Sequence, residues 1–116
     1  MDNNLRGSIL IIEDEEIIRE SYKALLEIEG YTVHTASQGA EGLQVLKSIP
    51  TPSLILLDLC MPIMNGIEFL EMKIRDLNIS SIPVCVMSGI AKRPDLPQST
   101  VFLSKPIDLE VLLKIV

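Results

Sequence analysis

Polar residues stand where apolar runs stop. Glu13 and Asp14 follow the run 9–12, Asp58 follows 54–57, Ser88 follows 84–87, and Lys105 comes shortly after 101–103. Brought together, these side chains describe one kind of chemistry. Crowded carboxylates repel one another and call for a cation. Oxygen donors without a His or Cys side chain suit a hard ion such as Mg²⁺, which keeps waters and binds phosphate. A lysine offers a compact positive charge to a phosphoryl oxygen, and a serine hydroxyl offers a donor. Phosphoryl transfer rests chiefly on such positioning and charge neutralisation, and an aspartate can itself take the group as an aspartyl phosphate.

These residues can meet only if the strands that carry them lie side by side. The runs 9–12, 54–57 and 84–87, with a weaker one at 101–103, are continuously apolar, the pattern of parallel strands covered on both faces. Residues 31–34 alternate more and predict an edge strand. Helical spacing predicts a helix over 15–29, with Ile17, Ile18, Tyr22, Leu25 and Leu26 apolar and Gly30 as its stop. A second is predicted over 40–48, with Ser37 a possible N-cap nearby, and a third over 66–74, carrying Ile67, Leu70 and Ile74. A last one over 108–116 has Asp108 as its N-cap, whereas Pro94 and Pro97 disfavour a regular helix over 90–100. The resulting order, β-α-β-α-β-α-β-irregular-β-α, predicts an α/β fold: a doubly wound parallel sheet of five strands with helices on both faces and a short or irregular fourth crossover. Such sheets bind ligands at the carboxyl ends of strands, where strand order reverses. With the order 2-1-3-4-5, the first and third strands flank that point and Asp14 faces Asp58.

Composition narrows the function further. The chain has 116 residues, 47% hydrophobic and 22% charged, which predicts one globular domain over 1–116. Its 10 Lys+Arg against 16 Asp+Glu give a formal charge of −6. It lacks the clustered cations of a protein that binds nucleic acid directly, and with 3% aromatic residues it lacks a base-stacking platform. Its apolar runs are too short for membrane insertion, and residues 1–4 carry no secretory signal pattern, so a cytoplasmic protein is expected. Cys60 and Cys85 form neither a disulfide framework nor a metal knuckle and read as reduced packing residues.

Four segments, ILIIED at 9–14, LLDLCMPIMNG at 56–66, VMSG at 86–89 and FLSKP at 102–106, resemble the receiver domain of two-component response regulators. The resemblance spans almost the whole chain, and the intervals of 44 residues from Asp14 to Asp58 and 30 from Asp58 to Ser88 match as well. It implies a flavodoxin-like sheet and makes Asp58 the phosphoacceptor, attacking a phosphohistidine on a sensor histidine kinase or histidine phosphotransfer protein. It implies Mg²⁺ as the cofactor, ligated by Asp14 and Asp58, by Glu13 directly or through water, and by the main-chain carbonyl of Cys60. Ser88 and Lys105 would contact phosphoryl oxygens, small Gly89 would leave room for the group, and Ser88 and Phe102 would be the switch residues. Pro62 and Gly66 match the loop after the acceptor. Output would pass to an effector domain or another protein.

Two features depart from the family pattern. Ser88 and Lys105 are 17 residues apart, several fewer than usual, and the shortening falls where the family has its fourth helix, as in receivers attached to hybrid sensor kinases. Phe102 replaces the more familiar Tyr and removes its hydroxyl. Two other functions compete. An aspartyl-phosphate phosphohydrolase of the haloacid-dehalogenase type would need an acid/base Asp where Cys60 stands. A binding module that is never phosphorylated would not need the whole set of Asp14, Asp58, Ser88 and Lys105. Elsewhere plainer readings suffice: Glu15 and Glu16 suit the N-terminal dipole of a helix, His34 suits the surface of an edge strand, and Met61, Met64, Met72 and Met87 suit packing.

Overall fold

A computed structural model describes residues 7–58, 66–88 and 101–104. Five strands form one parallel sheet: β1 (Ser8–Ile12), β2 (Thr32–Ala36), β3 (Leu54–Asp58), β4 (Val84–Ser88) and β5 (Val101–Ser104). Their order is β2-β1-β3-β4-β5, the arrangement expected. Among the described residues three helices link β1 through β4: α1 (Glu16–Ile28), α2 (Gly39–Ser48) and α3 (Gly66–Arg75). The predicted irregular segment 90–100 and the last helix 108–116 lie outside the described residues.

The apolar runs become central strands because both faces of the sheet are covered. Ile9, Leu10, Ile11 and Ile12 are all fully buried, and successive side chains of a strand point to opposite faces. Leu10 and Ile12 join Ile55, Leu57, Val84 and Val86 in a core closed by Leu46, Phe69 and Leu70 from α2 and α3. Ile9 and Ile11 join Leu54, Leu56, Cys85 and Met87 beneath Leu26 of α1. Full burial of each such side chain is worth about 1.5–3 kcal/mol.

Helix ends explain several boundaries. Gly30 has φ 102°, a conformation glycine adopts without a Cβ clash. There the Gly30 and Tyr31 amides donate to the carbonyls of Glu27 and Leu26, closing α1 in a Schellman motif. At α2 the structure corrects the expected cap: Gln38, not Ser37, is the N-cap, and its side-chain oxygen accepts from the Ala40 amide at 2.6 Å. Ser37 instead donates its amide and hydroxyl to Glu41 Oε1.

The helix faces also differ from the simple apolar stripes. On α1, Ile17 is 82% exposed, and it is the stripe Ile18, Tyr22 and Leu26 that turns inward. On α3, Ile67 and Ile74 are exposed while Phe69, Leu70 and Lys73 are buried. Phe69 anchors the inner face, and Lys73 joins it because its Nζ donates to the Ser80 carbonyl at 2.9 Å. Met87 is core as expected, whereas Met72 is 47% exposed; Met61 and Met64 lie outside the described residues. His34 is half-buried on the edge strand β2.

Candidate functional site

Register brings the acids together. β1 pairs with β3 so that Ile12 stands opposite Leu57, and the next residue on each strand is Glu13 or Asp58. The Glu13 amide continues the ladder on the other side, donating to the Ala36 carbonyl at 3.0 Å. Glu13 and Asp58 are buried, at 0% and 3% exposure, while Asp14 faces solvent. One carboxylate oxygen from each of the three lies within 4.8 Å of the others. Carboxylates at that spacing repel strongly in a partly buried setting, and opposite ligands of an octahedral ion at 2.0–2.1 Å lie about 4 Å apart. The donor set therefore fits a hard divalent cation, with solvent reaching it on the side of Asp14.

The turn that presents Glu13 and Asp14 is fixed from two sides. The Glu13 carboxylate accepts from the Glu15 amide at 3.1 Å, which also satisfies a backbone donor at the start of α1, where the N-cap Glu15 makes no side-chain cap. Arg19 Nη1 donates to the Glu13 main-chain carbonyl at 2.9 Å. Sequence reasoning missed Arg19. Its signal is a mild anomaly, a cation in the first turn of a helix whose dipole disfavours one there, and the Glu13 carbonyl supplies the compensation. The same guanidinium contributes to holding the Glu41 carboxyl below its ordinary value, after the larger effect of the hydrogen bonds from the Ser37 amide and hydroxyl.

The other expected residues are placed less completely. Ser88 ends β4 one residue past Met87, the register partner of Asp58, and pairs with Ser104 on β5. Phe102 pairs with Val86 in the same ladder. The Ser88 backbone thus lies on the strand next to Asp58, and that of Phe102 one strand further out. Cys60, Pro62, Gly89 and Lys105 lie outside the described residues. Among the described residues, no helix is long and apolar enough to cross a membrane.

Known proteins agree with this geometry. The family model for the response regulator receiver domain matches residues 9–116. The chain is 37% identical over 115 residues to response regulator RR06 of Streptococcus pneumoniae, covering 92% of this chain and 50% of that protein. It is 30% identical over 111 residues to the protein PilH of Pseudomonas aeruginosa, covering 91% of each. Several other curated relatives are matched over only a third to a half of their length. Among solved structures, the signal receiver domain of a signal transduction histidine kinase from Syntrophus aciditrophicus superposes with a TM-score of 0.83 at 29% identity, over 94% of this chain and 86% of that one. The order of the strands, the acids at the ends of β1 and β3, and these likenesses lead to one assignment: the chain belongs to the response regulator receiver domains, the phosphoacceptor switches of two-component signalling.

Proposed function

We propose that Asp58 is the phosphoacceptor of this receiver and that residues 1–116 form one such domain. The observation that carries the reading is the convergence of Glu13, Asp14 and Asp58 from two strands at the carboxyl edge of the sheet. In the proposed reaction an Asp58 carboxylate oxygen attacks the phosphorus of a phosphohistidine on a sensor histidine kinase or histidine phosphotransfer protein. The P–N bond breaks and its electron pair stays with the departing imidazole. Asp14, Asp58, the Cys60 main-chain carbonyl and Glu13, directly or through a water, would hold Mg²⁺, which would offset the mutual repulsion of the acids and the charge of the phosphoryl oxygens. Ser88 donates its hydroxyl to one phosphoryl oxygen and Lys105 pairs with another. Burial of Asp58 limits solvent around the acceptor, and later attack by water on the phosphorus breaks the P–O bond to Asp58, releasing inorganic phosphate and the free carboxylate.

Phosphorylation acts as a signal only if it favours one conformer over another. Ser88 and Phe102 are the proposed levers, since their strands adjoin β3 or its neighbour β4. The phenyl ring of Phe102 would report through packing, without a hydroxyl. The downstream element is an effector domain or another protein, and the reading places the chain in the cytoplasm, in keeping with the absence of a membrane-crossing helix among the described residues. Incubation with acetyl phosphate tests the assignment. With Mg²⁺ the chain takes up one phosphoryl group, and with the metal chelated it takes up none; labelling that ignores chelation contradicts the reading.

A further inference from the structure

At the edge of the sheet opposite the acidic cluster, the C-terminal ends of α2 and α3 and the turn 76–80 enclose a groove of about 890 Å³. That volume falls in the range of sites that hold a ligand or an inserted side-chain row. Its floor is apolar, with Leu46 buried and Leu43 and Ile79 half-buried. Its lip leaves Leu77 89% and Met72 47% exposed, a small apolar display beside solvent.

The wall is built rather than loose. The Asp76 carbonyl accepts from the Ile79 and Ser80 amides, the Asp76 carboxylate accepts from the Asn78 amide at 2.9 Å, and Lys73 Nζ ties the Ser80 carbonyl to α3. Among the described residues the acid that lines the groove is Asp76, and its carboxylate is engaged with its own turn while keeping its charge. Lys47 and Arg75, both exposed and without an ion pair among the described residues, remain at the rim. On a chain of net charge −6, two cations against one acid leave the mouth of this apolar slot with one net positive charge, part of which offsets the C-terminal dipoles of α2 and α3.

We propose that this groove docks an acidic amphipathic helix of a partner protein, whose apolar side chains enter between Leu43, Leu46, Met72 and Leu77 and whose carboxylates meet Lys47 and Arg75. Helix-in-groove recognition uses anchors at i, i+3 or i+4, and i+7, and complementary charge at the rim selects the partner and orients it. A second copy of the chain is the rival occupant, since α1 exposes Ile17 and Ile28 among glutamates. Seating α1 in the groove of another copy is a head-to-tail contact, which forms rings or filaments rather than a two-fold dimer, and like net charge opposes it.

Fluorescence anisotropy with two labelled helical peptides of about 15 residues tests the proposal. One carries leucines at i, i+4 and i+7 flanked by glutamates, and the other has lysine for every glutamate. The acidic peptide binds saturably and at least about tenfold more tightly than the basic one. The double variant Lys47→Glu/Arg75→Glu loses about tenfold for the acidic peptide, and Leu77→Asp loses most of the binding. All three substitutions are at exposed positions, and unchanged far-UV circular dichroism and melting temperature confirm that the variants are folded. Equal binding of both peptides, no saturable binding, or unchanged affinity in the double variant overturns the proposal. Sedimentation of the chain alone separates the rival: self-association removed by Leu77→Asp assigns the groove to a second copy instead. Because the groove and Asp58 lie at opposite edges of the sheet, peptide binding is scored independently of phosphorylation.

Discussion

Glu13 does two things at once, offering a carboxylate to the acidic cluster and accepting the Glu15 amide that opens α1. Its position therefore depends on Arg19, which holds its main-chain carbonyl. Partners that orient a metal ligand typically change metal affinity 10–100-fold when removed. Replacing Arg19 by Gln should weaken Mg²⁺ binding about tenfold in calorimetric titration while leaving α1 helical by circular dichroism. Unchanged affinity would show that the turn is held without the guanidinium. At this scale the acids were legible in the sequence because each follows directly on an apolar run. Arg19 was not, because its contact depends on how the turn before α1 folds back.

At the scale of elements, the strands were legible and the helix faces less so. Two-sided burial makes 9–12, 54–57 and 84–87 continuously apolar, and no other local structure of that length explains them as well. A helix buries only one stripe, so an apolar residue such as Ile17 or Ile74 can sit on either side of it. Tertiary contact decides, as Lys73 shows by turning inward to reach the Ser80 carbonyl. The start of α2 was misjudged because Gln38 is an uncommon cap, whereas Ser37 has the usual chemistry but bonds to Glu41.

That arrangement has a measurable pH signature. Hydrogen bonds from the Ser37 amide and hydroxyl, helped by Arg19, hold the Glu41 carboxyl below its ordinary 4.5. A carboxyl depressed in the folded state contributes stability that is complete above its unfolded value and lost as pH falls through its folded value. Glu41→Gln should therefore melt at a temperature that depends less steeply on pH below 4.5 than the native chain does. Parallel curves for the two proteins would remove Glu41 from the acid limb.

At the scale of the whole molecule, Cys85 reports on the integrity of the sheet. It lies fully buried in β4, the strand beside β3 and β5, and burial pushes its thiol up to about 11 from 9.0. A neutral, inaccessible thiol is inert to alkylation. At about pH 8 the native chain should leave Cys85 unmodified by iodoacetamide while urea-unfolded chain is alkylated, as mapped by peptide mass. Equal rates would mean that β4 opens without global unfolding. The sign at high pH follows: the stability tied to this thiol is complete below 9.0 and is lost as pH rises towards about 11. The overall topology was readable because each of the first three crossovers has a helical signature in the sequence. The groove between α2 and α3 was not, since it arises from how two helix ends and a turn pack. The net charge of −6 likewise conceals an acidic cluster at one edge of the sheet and a positive mouth at the other. The claim that unites these scales is that Asp58 accepts the phosphoryl group, and the intact mass after treatment with acetyl phosphate and Mg²⁺ tests it most directly. The native chain should gain one phosphoryl group and folded Asp58→Asn none; equal labelling of that variant would contradict the account.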